Sequence, residues 1–132
     1  MCLCVAEAVF IDTQAMNWAG VPGVAGAEWK VLQEDAHTGG IRALVKFPAG
    51  AVEPPHHHTH GHWIYVQEGA KLVENLSRGT RYLLSQGMYL YTPAPDVHRV
   101  TYLSRCTFVF VSEGPFDLFW DSEAQGVIMP SS

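Results

Sequence analysis

At 132 residues the chain has the usual size of one domain and can bury a core without disulfide staples, so one domain over residues 1–132 is expected. A net charge of −5 with only eight Lys and Arg offers no basic stripe to a phosphate backbone, which argues against a nucleic-acid partner. Charged residues make up 16 %, below the usual quarter, and a small domain with so little charge is expected to cover part of its surface in a homodimer.

The first ten residues, Met1 to Phe10, are apolar but lack a basic stretch and carry Glu7, so they do not read as a signal peptide. No stretch approaches the ~18 apolar residues of a membrane span. Three cysteines, Cys2, Cys4 and Cys106, cannot all pair with one another, and a reducing cytoplasm is the expected location. Cys2 and Cys4 lie one residue apart at a terminus and read as exposed thiols rather than a soft-metal site.

Further along, turn residues recur at short intervals: Gly20 to Gly26, Gly39-Gly40, Pro48-Ala49-Gly50, Pro54-Pro55, Gly69, Gly79, Gly87, Pro93 to Pro95 and Gly114-Pro115. Between them Ile41 to Phe47, Trp63 to Gln67, Arg81 to Leu84, Met88 to Thr92, Val97 to Leu103 and Cys106 to Val111 are rich in Val, Ile, Tyr, Phe and Thr and predict strands. Only Pro115 to Gln125 suggests a short helical turn. Many short strands separated by Gly and Pro predict an all-β sandwich, jelly roll or small barrel, a class that takes ligands inside.

The densest chemical signal is His56-His57-His58-Thr59-His60-Gly61-His62, which holds five of the seven histidines. Neutral imidazole is the commonest protein ligand for transition metals, so this cluster reads first as a metal site. An internal run broken by Thr59 and Gly61 is not a purification tag. Pro54-Pro55 and Gly61 exclude a helix here, and in extended chain residues i and i+2 share a face. His56 and His58 therefore reach one ion together while His57 points away and His60 lies in a turn. In the following strand His62 shares a face with Ile64 and Val66, opposite Trp63 and Tyr65; His98 opens a later strand with Val100 and Tyr102 on its face.

The expected metal set is thus His56, His58, His62 and His98. His37, before Thr38-Gly39-Gly40, reads as a loop residue, and Glu53 and Glu68 read as surface residues. Among the aromatics Tyr89, Tyr91, Tyr102, Phe108, Phe110, Phe116 and Trp120, the candidates for lining a substrate cavity are Tyr91, Tyr102, Phe108 and Phe110. No catalytic group beyond the metal site is assigned, and no serine triad is visible, since triads are recognised by geometry.

Gly50, five residues, His56-x-His58, three residues, His62, six residues, Gly69 resembles the first cupin motif, with His62 at its glutamate position. Gly87, five residues, Pro93-x-Pro95, two residues, His98 resembles the second, with Pro95 and Tyr102 where a glycine and an asparagine are usual. These motifs, at 50–69 and 87–102, imply the cupin double-stranded β-helix, a jelly-roll barrel. Gly26 to Leu32, Asp35 to Gly39, Ala43 to Val45 and Gly114-Pro115 further resemble the acetylacetone-cleaving dioxygenases and the cupin domain of zinc-binding anti-sigma factors.

The resemblance implies one divalent transition metal, with Fe(II) favoured over Zn, Ni or Mn, and a small-molecule substrate. The leading functional expectation is a mononuclear non-haem iron dioxygenase that cleaves a carbon–carbon bond of a small β-dicarbonyl or hydroxyketone. A non-catalytic zinc-binding sensor and a non-redox isomerase or hydrolase stand as alternatives.

Overall fold

The computed structural model describes residues 7–130. After a 3-10 turn at Thr13–Ala15, the strands are β1 (Ala19–Val21), β2 (Val24–Glu34), β3 (Ile41–Phe47), β4 (Val52–His57), β5 (His62–Glu68), β6 (Ala70–Asn75), β7 (Thr80–Ser85), β8 (Tyr89–Thr92), β9 (His98–Tyr102), β10 (Cys106–Ser112) and β11 (Phe119–Trp120). They form two antiparallel sheets, β1-β2-β3-β10-β5-β8 and β11-β4-β9-β6-β7, and the architecture is all-β, as expected of a jelly roll. Among the described residues no helix is long and apolar enough to cross a membrane.

Alternation builds the interior. β10 turns Cys106, Phe108, Phe110 and Ser112 inward, and β9 turns His98, Val100 and Tyr102 inward, so each strand contributes every second side chain to the space between the sheets. Phe47 lies nearly parallel to Tyr102, with ring centroids 4.1 Å apart, and to Phe108 at 6.2 Å. Together with Ala43, Val66 and Cys106 these rings close one end of the barrel, where burial of each large apolar side chain stabilises by roughly 1.5–3 kcal/mol. Where β5 passes into β6, Gly69 adopts φ +84°, and a Cβ there would lie 2.0 Å from the Arg105 carbonyl oxygen. Only glycine lets this link pass so close to the start of β10.

The strand Ile41–Phe47 matches its sequence expectation to the residue, and β5, β7, β8, β9 and β10 match theirs within a residue or so at each end. Sequence reading overlooked β2, which begins inside a glycine cluster, and β6, whose inward residues include Lys71 and Asn75. The short helical turn expected at Pro115 to Gln125 is absent. Instead Phe119 and Trp120 pair with His57 and His56, and the Asp121 amide donates to the Pro55 carbonyl at 2.8 Å. The open edge of β4 offers backbone partners that a lone helical turn cannot match. Cys106 is buried and free, whereas Cys2 and Cys4 lie outside the described residues.

Candidate metal centre

β4 and β9 run side by side with His56 opposite His98, which brings two inward imidazoles together. His58 follows just beyond the end of β4. The ligand nitrogens available from His56, His58 and His98 all lie within 4.8 Å of one another, close enough to share one ion.

Each of these rings is held by its other nitrogen. His56 Nδ1 meets the Pro54 carbonyl at 2.7 Å, His58 Nδ1 the Asp117 carbonyl at 2.5 Å, and His98 Nδ1 the Asp96 carbonyl at 3.2 Å. A carbonyl only accepts, so in the neutral ring each Nδ1 carries the proton and each Nε2 presents its lone pair. That is the tautomer a metal requires. The turn that presents His98 is itself pinned, because Asp96 Oδ2 accepts from Asn75 Nδ2 at 2.9 Å and Arg78 Nε at 2.5 Å. The Arg78 guanidinium holds the Asp96 carboxyl below its ordinary range.

Burial pushes the pKa of His62 and His98 well below the usual histidine value, and lowers that of His58. These rings are neutral at physiological pH. His62 stands on β5 at the far wall, its ring centroid 4.9 Å from that of His58 and 5.5 Å from that of His98, and it stacks on Phe110 at 5.0 Å. His57 faces outward, with Nδ1 2.7 Å from Asp121 Oδ2, and His60 lies in the turn against Gly114. His37 is exposed in a loop shaped by Asp35, whose Oδ1 accepts from the His37 and Thr38 amides.

Glu53 is not a surface residue. The register of β4 slips between Glu53 and His56, so although the two are an odd number apart both point inward, and Glu53 is only 8 % exposed. Its Oε1 accepts from the Tyr102 hydroxyl at 2.6 Å, and its Oε2 lies 3.5 Å from His56 Nε2. Two lone pairs thus face each other in a buried place, which a bound cation would reconcile. The donor set fits a divalent transition metal: three imidazole nitrogens with fixed tautomers that can share one ion, with the Glu53 carboxylate beside His56 to offset its charge.

The cavity in front of these groups measures about 60 Å³ on a scale where one water needs about 10–15 Å³, so it suits a small ligand. Glu53, His56, His58, His62 and His98 line it together with Lys71, Phe108, Phe110, Phe116 and Leu118. Of the four aromatic candidates, Phe108 and Phe110 line the cavity, while Tyr102 stands behind Glu53. Tyr91 does not face it: Tyr91 pairs with Trp63 on the outer side of the sheet, is 43 % exposed, and donates its hydroxyl to Glu113.

Sequence reading missed two groups, Glu53 and Lys71. The phase of Lys71 with Val73 in Ala70–Asn75 would have shown it inward, had β6 been recognised.

Known proteins share this architecture. The family described as ChrR Cupin-like domain matches residues 6–117. A curated relative from Arabidopsis thaliana, "DNA damage-repair/toleration protein DRT102", is 43 % identical over 100 residues, which cover 76 % of this chain but only 31 % of the relative's length. Among solved structures, KdgF from Halomonas sp. is 28 % identical with a TM-score of 0.65, covering 80 % of this chain and 94 % of that one. An acetylacetone dioxygenase from Acinetobacter johnsonii is 19 % identical with a TM-score of 0.73, covering 98 % of this chain and 87 % of that one, a likeness of fold.

Proposed function

The chain belongs to the ChrR Cupin-like domain family, and we propose that it is a mononuclear iron(II) dioxygenase that cleaves a carbon–carbon bond of a small β-dicarbonyl or hydroxyketone. The observation that supports this reading most is the buried Glu53 carboxylate beside the histidine cluster, in a cavity otherwise walled largely by apolar side chains. An enolisable carbon needs a base in a water-poor site next to a Lewis acid, and these residues provide the base and the metal ligands.

His56, His58 and His98 would hold the ion, with His62 as a fourth ligand from the opposite wall. Zinc, nickel and manganese suit the same imidazoles, so iron is the choice the chemistry asks for rather than one the ligands impose. When bound, the metal would supply Lewis acidity toward the substrate's carbonyl oxygens and, as iron(II), a redox-active centre for dioxygen, the electrons that reduce dioxygen coming from the substrate that is cleaved.

The protein's own part is proton handling and enclosure. Glu53 Oε2 accepts the proton from the carbon between the carbonyls, while the Tyr102 hydroxyl fixes Oε1 and so aims the carboxylate. Burial pushes the Tyr102 pKa well above its ordinary value, which keeps the hydroxyl a donor. Phe110 and Phe116 keep water from the enolate.

The test is anaerobic addition of pentane-2,4-dione to iron-loaded protein, followed by admission of oxygen. A charge-transfer band and then oxygen uptake are expected, and Glu53→Gln should slow uptake by about 10²–10⁴-fold with iron retained. Absence of both signals across a set of diketones overturns the reading. Zinc retained through purification, no oxygen uptake, and a ligand-induced rise in melting temperature would instead favour a zinc-binding sensor. The homodimer belongs to the same proposal: Leu83 and Tyr89 on the edge strands are 62 % and 59 % exposed, and sedimentation of the purified chain tests it.

A further inference from the structure

Lys71 is the feature of the cavity that the proposed reaction leaves unused. It occupies an inward position of β6 and is 3 % exposed. Its Nζ sits 3.2 Å from the centroid of Phe108 and 5.3 Å from that of Tyr102. Among the described residues this ammonium has no hydrogen-bond acceptor and no ion-pair partner. The neighbouring carboxylate, Glu53, instead accepts from the Tyr102 hydroxyl and turns its other oxygen toward His56.

An ammonium group carries three donors, and a ring face satisfies the charge in part but none of the hydrogen bonds directionally. Buried lysines are rare unless paired, and an apolar side chain would fill this position without the desolvation cost. An unpartnered cation that lines a cavity therefore points to a ligand that brings the missing acceptor. We propose that Lys71 forms an anion subsite that binds the carboxylate of a small oxo acid whose chelating oxygens face the histidines. Burial lowers the Lys71 pKa to about 8, so the group is still mainly protonated at neutral pH.

Strand geometry sets the scale. Lys71 pairs with Tyr102, and His98 lies four residues back along β9, roughly 13 Å at the usual rise per residue. Both side chains line the same cavity, and a small acid spans the separation between them. The substrate class that follows is a 2,4-dioxo acid or a related hydroxyoxo acid. The chelating half of this inference rests on the proposed function, whereas the anion subsite rests on Lys71 alone.

The test compares the Kd of 2,4-dioxopentanoate with that of hexane-2,4-dione, a neutral diketone of similar size, on zinc-loaded wild type, Lys71→Met and Lys71→Arg. Wild type should prefer the acid by about tenfold or more, as one charge-assisted hydrogen bond implies. Lys71→Met should lose that preference while keeping its zinc and its affinity for the neutral diketone. Lys71→Arg should retain part of it. Equal affinity of wild type for the two compounds, or a preference that survives in Lys71→Met, overturns the proposal.

If hexane-2,4-dione does not bind wild type at all, the diketone reading has failed, and the subsite is then judged with propanoate. Binding that is lost in Lys71→Met supports the subsite; binding equal in both proteins, or none in either, overturns it. Should Lys71→Met not fold, Lys71→Gln takes its place and the same outcomes decide.

Discussion

The two ends of the cavity bury polar groups in opposite ways. At the histidine end three imidazoles are tied through Nδ1 to backbone carbonyls, and the turn before His98 is braced by Asn75, Asp96 and Arg78. At the other end Lys71 stands over Phe108 with no acceptor. The first arrangement fixes direction before any ligand arrives, and the second keeps a binding capacity in reserve. Partnered polar groups hold geometry, while an unpartnered one waits for chemistry from outside.

Removing a group from the braced end should have the largest effect. His58→Ala or His98→Ala should weaken metal binding by more than the 10–100-fold typical of groups outside the ligand shell, whereas His57→Ala, on the outward face, should change it little. Metal analysis after dialysis against a competing chelator measures both, and equal losses would erase the distinction of faces.

A change at the unbraced end should act on stability in the reverse direction. Because burial lowers the Lys71 pKa from 10.5 to about 8, the unfolded chain binds the proton more tightly between those values, and folding bears the full cost below pH 8. The shift corresponds to about 3 kcal/mol. Lys71→Met should therefore be more stable than wild type at pH 7 by up to about 3 kcal/mol, with the gap closing as pH rises from 8 to 10.5. Cys106 and Tyr102, whose pKa values burial raises, weaken both proteins as pH climbs, so the difference between their denaturation curves is the quantity to follow. A gap that stays constant with pH would show that Lys71 does not carry a buried charge.

The braced end has its own, smaller pH signature. His58, His62 and His98 have pKa values lowered by burial, so as pH falls through about 6.5 the unfolded chain takes up protons first. Metal-free protein should keep its full stability above that pH and lose it progressively below, as read by melting temperature. A rise in melting temperature on acidification would contradict the buried neutral rings. Smallest of all should be Tyr91→Phe, which removes an exposed hydrogen bond on the outer face and should shift stability by no more than about 0.5 kcal/mol, with metal content unchanged.

These contrasts also explain what was legible in the sequence. Strand alternation separated His56 and His58 from His57, and the run Ile41–Phe47 announced its strand because its inward residues are all apolar. Glu53 was hidden by the slipped register before His56, which changes parity in a way no local pattern records. Lys71 was hidden because polar residues at inward positions of β6 weaken the alternation by which a strand is recognised. Tyr91 was misplaced because its face is set by the strand it pairs with, Trp63 and Tyr65 having already taken the outer side. For Glu53 and Tyr91 the information lay in pairing across strands rather than along one.

The segment from Phe116 to Asp121 joins several of these features. Its backbone at Asp117 orients His58, the Asp117 side chain accepts from the Thr59 amide at 2.8 Å, and Phe119 and Trp120 extend the sheet beside His57 and His56. The same stretch places Phe116 and Leu118 on the cavity wall. When it peels away, His58 loses its orienting carbonyl and the cavity loses a side at once, so opening of this strap and release of the metal are thermodynamically linked. An ion held by His58 would thus stabilise a segment nearly sixty residues downstream and, with it, one wall of the cavity.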